Sequence, residues 1–231
     1  MRYSEFSEGI LEPDQEFMSG LMSAVNDVAV EYEKFLENNN DQDDPEELAH
    51  LLNVFFEEDG IPIEVYVGAT GQKANDWYIQ AGQVHGDGSM DLVLDPDSID
   101  GHWGPETFKR VMQKTFEHEN IHLMQRDRMG LSNYMNLPSG YQKGQKLMQK
   151  TGKERDAMRL YFRDPQELMA HGHDLYREIQ NSSNPKKALR NPESFRDELP
   201  TYDKYRQIFP PNAKPLQRMI TYTYKYFQKN A

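Results

Sequence analysis

The sequence contains no cysteine, which excludes disulfide staples and zinc sites built on sulfur. No apolar run approaches the ~18–20 residues that span a bilayer. The first residues, MRYSEFSEGILEPDQEF, have no apolar stretch behind a basic start, so no secretory signal is expected there. Basic residues are scarce at the same end: residues 1–60 hold 17 acidic and 2 basic side chains. The remaining 171 residues hold 21 acidic and 24 basic ones, and the whole chain carries a formal charge of −12. Such an acidic chain is ill suited to duplex nucleic acid, whose binding requires Lys and Arg to neutralise phosphates. The expectations are no nucleic-acid partner, no membrane and a cytoplasmic location.

What is present is an ordinary globular composition, 37% hydrophobic and 28% charged, long enough to bury a core. A single domain over 1–231 is expected, with 1–60 an acidic helical N-terminal segment and 185–231 a helical or loop-rich C-terminal extension. Acidic helix faces of this kind are ordinarily solvated. The sharper alternative is an acidic segment that docks on the basic second half or on a protein partner.

Periodicity places the elements. Phe17, Leu21, Val25, Val28, Tyr32, Phe35 and Leu36 recur at helical spacing and predict a helix over 13–36. Pro45 opens a second, with Leu48, Leu51, Leu52, Phe55 and Phe56 as its stripe and Gly60 as its stop. The period then changes. Segments 61–69, 76–84 and 89–95 read as strands separated by Gly-bearing turns, and their short connections predict an antiparallel three-stranded meander. The last strand is expected to offer its edge to an extended substrate. Pro105 starts a long helix to about Gly130; residues 131–152, broken by Pro138, Gly140, Gly144 and Gly152, read as loop. A short helix is predicted over 153–162, and Asp164-Pro165 caps and opens another to about Gln180. Residues 181–194 read as loop, and 215–228 as a final aromatic helix. The order describes an α+β fold.

Within the long helix stands His118-Glu119-Asn120-Ile121-His122. Residues i and i+4 share one helix face, so both imidazoles can reach one ion. Glu119 is rotated roughly 100° from His118 and flanks that position. Zinc lowers the pKa of a coordinated water to ~7, and a flanking carboxylate can take its proton as the water attacks a carbonyl. The expected cofactor is therefore zinc, with His118 and His122 as ligands and Glu119 as the base.

Catalytic zinc usually takes three protein ligands. Downstream, Asp164-Pro165-Gln166-Glu167-Leu168-Met169-Ala170-His171-Gly172-His173-Asp174 opens a second helix. Glu167 lies in its first turn, where a carboxylate can point at a facing helix, and small Ala170 permits close packing. His171, on the same face, is an alternative ligand or a transition-state donor. Asp174 is a candidate for orienting a zinc-binding imidazole, and His173 reads as merely polar. Tyr161, Tyr141 and Arg163 are candidates for stabilising an oxyanion. His50, His85 and His102 read as surface or turn residues, and the stripe Lys146, Lys150, Lys153, Arg155, Arg159 and Arg163 as a solvated face.

These two motifs resemble the gluzincin-like (minigluzincin-type) zinc metallopeptidases, closest to small phage-encoded proteins carrying HExxHxxQ followed by Pro-x-Glu-x-x-Ala. Here they read His118, Glu119, His122 and Gln125, then Pro165, Glu167 and Ala170. The resemblance covers roughly residues 105–180. It implies a zincin-like fold in which a small antiparallel sheet packs on the HExxH helix and a second Glu-bearing helix. It also implies Glu167 as third ligand, Glu119 as general base, a protein or peptide substrate, and a host-cytoplasm or virion setting. The competing expectation is a non-catalytic, virion-associated interaction protein using the acidic helices and the aromatic tail (Tyr222, Tyr224, Tyr226, Phe227). A third expectation makes residues 1–60 a removable plug over a metal-bound peptidase.

Overall fold

Helix α1 (Gln15–Asn38) starts where Asp14 accepts a hydrogen bond from Phe17 N, and α2 (Pro45–Glu58) where Asp44 accepts from Glu46 N and Glu47 N. Each cap satisfies amides that the first turn leaves without a partner, and Pro45 sits where its missing N–H costs nothing. The computed structural model describes residues 10–39, 44–67, 79–84, 89–94, 105–130, 132 and 139–230. His85 and His102 lie outside the described residues, as do the Gly-bearing turn read at 70–75, all but residue 89 of the one read at 85–89, and the side chain of Tyr141. His50 is exposed, as expected.

Three strands follow: β1 (Ile63–Val67), β2 (Ile79–Val84) and β3 (Met90–Leu94). Their order is β1-β3-β2, with β1 parallel and β2 antiparallel to β3. The sheet is mixed, and the expected antiparallel meander is corrected. The reason lies in the side chains. Ile63 and Val65 pair in register with Met90 and Leu92, and all four are buried. Placing β1 beside β3 therefore makes one continuous apolar patch, whereas β2, with Gln80, Ala81, Gly82 and Gln83, has an edge strand's composition. β3 is paired on both sides, so it has no free edge for a substrate. On β1, Asn53 from α2 accepts from Val65 N (2.7 Å) and donates to Val65 O (2.8 Å), covering backbone groups that an edge would expose.

Next comes α3 (Pro105–Met129), followed by α4 (Gly140–Thr151), α5 (Glu154–Tyr161), α6 (Pro165–Asn181) and the six-residue α7 (Pro185–Arg190). A 3₁₀ segment (Pro192–Glu198), α8 (Pro200–Ile208) and α9 (Lys214–Lys229) complete the chain. The architecture is α+β with helix predominant. Among the described residues, no helix is long and apolar enough to cross a membrane.

Helix α4 occupies a stretch expected as loop. Its glycines are packing residues, not breakers. A Cβ on Gly140 would lie 2.5 Å from Leu160 O, and one on Gly144 2.8 Å from Ala157 O, so α4 and α5 approach too closely for any side chain there. Ser139 caps the start by accepting from Gln142 N, and Gly152 ends the helix at φ 64°. Helix α7, inside the stretch 181–194 expected as loop, and helix α8 are further elements outside the expected set.

The chain divides into two compact units, Pro13–Leu123 and, together, Met1–Glu12 with Met124–Ala231. In the first, Leu21, Val25, Val28, Leu52 and Phe56 are fully buried in one core with Leu92, Met112 and Phe116. Helices α1 and α2 thus supply much of this core, which contradicts a removable plug. In the second, Phe162, Leu175, Leu199, Tyr205, Leu216 and Met219 form the core. Ala188, Leu199, Tyr202, Tyr205, Ile208, Phe209, Leu216 and Met219 bring residues of the 185–231 stretch into this core.

Candidate metal centre

In the first unit, α3 presents its buried face through Met112 and Phe116 while His118, Glu119 and His122 come round on the next turns. His118 Nε2 and His122 Nε2 are 3.2 Å apart, and Glu119 Oε1 is 4.0 Å from His118 Nε2. Two nitrogens at ~2.0–2.1 Å from a tetrahedral ion stand ~3.3–3.4 Å apart, so the pair already has nearly the spacing that zinc requires. A single N–H···N hydrogen bond has the same length, and a metal would displace its proton. Glu119 and His122 are buried and His118 half-buried. A group of two imidazoles and a carboxylate, its ligand atoms within 4.8 Å of one another and without sulfur, suits zinc by donor type as well as by spacing.

The two residues inside the motif are structural. Ile121 is fully buried. Asn120 is buried too, and its Oδ1 accepts a 2.7 Å hydrogen bond from Asp14 N, the cap of α1. This fixes the first turn of α1 to the motif's own helix, a contact that no sequence spacing announces.

In the second unit, Asp164 Oδ1 accepts from Gln166 N to start α6, and its Oδ2 accepts from Gly140 N. Gln125, the glutamine of the HExxHxxQ pattern, is buried and donates to Gln166 O (3.1 Å). On α6, His171 Nδ1 lies 3.2 Å from Asp174 Oδ2, and His171 Nε2 lies 3.9 Å from Glu167 Oε2. Asp174 thus orients His171, and a carboxylate on Nδ1 leaves Nε2 as the acceptor or ligand atom. The imidazole is held by rings: Phe162 stacks on it at 5.3 Å, and Tyr205 and Tyr161 meet it edge-on at 5.6 and 6.1 Å. Tyr161 therefore sits beside His171.

His173 is not a solvated polar residue. It is buried, with Tyr226 edge-on at 4.9 Å and Tyr176 tilted at 5.8 Å. Helix α6 is buried without a break from Leu168 through Tyr176, so both of its faces need partners. Gly172 admits α9 on the side away from Glu167, since a Cβ there would meet Tyr222 Cβ at 2.5 Å. Arg163 is exposed with its guanidinium over Phe209, and Lys146, Lys150, Lys153 and Arg155 are exposed as expected. Of the aromatic tail, Tyr226 is fully buried and Tyr222 and Phe227 pack on the core; Tyr224 is 41% exposed.

Tyr205 carried no signal as a site residue. Its position in Thr201, Tyr202, Tyr205, Ile208, all buried and at helical spacing behind Pro200, would have announced α8. It is fully buried, and burial followed by the charges of Glu167, Asp174 and Asp164 pushes its phenol well above the ordinary tyrosine value.

No protein-family model, curated protein or solved structure matches this chain.

Proposed function

We propose that the protein is a zinc-dependent, gluzincin-like metallopeptidase of zincin type, acting on protein or peptide substrates. The observation that supports it most is the geometry on α3: two imidazole nitrogens 3.2 Å apart with the Glu119 carboxylate alongside. In this reading His118 and His122 hold zinc. The resemblance assigns the third position to Glu167, with His171 as the alternative. Zinc held there supplies a Lewis acid and brings a water's pKa to ~7. Glu119, buried on the flank of the pair, accepts the proton of the attacking water and delivers it to the leaving amine. His171, steadied by Asp174 and three rings, is suited to donate to a developing oxyanion if it is not itself a ligand. Tyr161, beside it, is the other candidate for that role. A cytoplasmic or virion setting goes with this proposal.

The test is purified wild type beside Glu119→Gln, assayed for bound zinc and for cleavage of unstructured protein substrates. Glu119→Gln is expected to keep zinc and to lose hydrolysis by at least the ~10²–10⁴-fold that a general base supplies. Zinc in both proteins with cleavage in neither favours the interaction-protein reading, in which the site is a retained scaffold. A fully active Glu119→Gln ends the mechanism.

A further inference from the structure

Of the described residues of α4, only Gly140 and Gly144 are buried, and both serve the crossing with α5. A helix of 12 residues gains little from its own hydrogen bonds in water. It rests on one side here and leaves Gln142, Lys143, Gln145, Lys146, Gln149 and Lys150 exposed. At ~100° per residue, Lys143, Lys146 and Lys150 fall within an arc of about 60° and form one stripe.

What sets these lysines apart is the lack of compensation. Several other basic side chains are matched by acids: Lys34 by Glu31 at 2.6 Å, Arg159 by Asp156 at 3.2 Å, Arg206 by Glu193 at 2.8 Å and Lys229 by Glu12 at 2.6 Å. Lys143, Lys146 and Lys150 enter no ion pair among the described residues. No Asp or Glu occurs between Arg128 and Lys153, in a chain that holds 38 of them. A merely solvated helix face is ordinarily laced with acids three or four residues from its lysines.

The complement lies in the same chain. Residues 13–123, the first unit, hold 24 acidic and 5 basic side chains, whereas residues 124–231 hold 11 and 20. On α1, Asp27, Glu33 and Glu37 are exposed and lie within an arc of about 120° around Val30, itself 47% exposed. The one lysine on that face, Lys34, is already held by Glu31. Val30 suits the alkyl stem of an incoming lysine whose ammonium reaches an acid beside it. A duplex or an anionic bilayer would be an extended anion presented to a chain whose net charge is −12. A second copy brings a matching acidic face instead.

We propose that α4 is a docking surface for a second copy of this chain, its lysine stripe seating on the acidic outer face of α1 of the neighbouring molecule. Because the two faces differ, every copy carries one of each, and such head-to-tail contacts close into rings or extend as filaments. Exposed ion pairs are individually weak and are screened by salt, so the association belongs to low ionic strength and high protein concentration. Zinc binding plays no part in it.

The experiment is sedimentation velocity of the full chain over a concentration series at ~0.01 M and ~1 M salt, between which the screening length falls from ~30 to ~3 Å. Wild type is expected to self-associate at the lower salt and at least ~10-fold more weakly at the higher. Two variants are run beside it: Lys143→Glu with Lys146→Glu and Lys150→Glu, and Asp27→Lys with Glu33→Lys and Glu37→Lys. Each alone should stay monomeric, since its α1 and α4 then carry the same sign. An equimolar mixture should associate again, because each supplies the sign the other lacks, and that recovery shows that both variants fold. A wild type that is monomeric throughout overturns the proposal. So does association that ignores salt or survives in either variant alone, or a mixture that stays monomeric. A monomeric wild type that pellets with phosphatidylserine vesicles through the same lysines assigns the stripe to an anionic surface and overturns the self-contact as well.

Discussion

Helices α3 and α6 each carry an acid and histidines at one-turn spacing, yet the two are assembled by opposite means. On α3, His118 and His122 face each other through helix geometry alone, and Glu119 follows from the same rotation. On α6, His171 is set by Asp174 of its own helix but also by Phe162 and Tyr205, residues from outside it. The first arrangement is local and would form in almost any fold that keeps the helix. The second depends on helices α8 and α9 closing over a segment that is buried on all sides. A motif is therefore a reliable guide to α3 and an incomplete one to α6.

The sharpest way to break this comparison is by zinc content. Under the proposed zinc reading, His122→Ala is expected to reduce bound zinc by more than the ~10–100-fold that an outer partner costs, because that reading makes it a ligand. Set beside it, Glu167→Ala should fall as far and His171→Ala less; the reverse order, read by metal analysis after dialysis, would make His171 the ligand. A smaller effect is expected at Gly172→Ala. Its added methyl meets Tyr222 Cβ, so overpacking should cost about 1–3 kcal/mol in urea unfolding and weaken zinc through α6. An unchanged midpoint would show that α9 yields easily, and that α6 is less rigidly held than the packing implies.

Smaller again is Tyr226→Phe. The lost 2.7 Å hydrogen bond from Tyr226 to Leu11 O should cost about 1 kcal/mol. It should also speed proteolysis near residues 10–12 if that bond fastens the N-terminal segment. The smallest effect is expected at Glu12, whose carboxyl lies below the usual carboxylate range, chiefly through its hydrogen bond from Lys229. A depressed folded pKa means the stabilisation is complete above the unfolded value near 4.5 and is lost as pH falls through the folded one. Glu12→Gln should flatten that acid limb, slightly, because the pair is largely solvated. An acid limb as steep as that of wild type would remove Glu12 from the account.

Helix starts were legible wherever proline and a capping acid coincide, at Asp44-Pro45 and Asp164-Pro165. Glycine misled at Gly140 and Gly144, because the same residue serves a turn and a close helix crossing, and only the neighbour at 2.5–2.8 Å tells them apart. The burial of His173 was invisible for a similar reason. Its polarity suggested solvent, but α9 covers that face with Tyr226.

The sequence by itself determined α3 and the face on which His118, Glu119 and His122 stand, because a helix puts residues four apart on one side whatever surrounds it. It also determined which segments form strands, through the change of period. Only the tertiary structure decided that β3 lies between β1 and β2, that α4 exists, and that Tyr205 stands over α6. Each of these depends on which distant surfaces bury one another, and local spacing carries no record of a partner dozens of residues away.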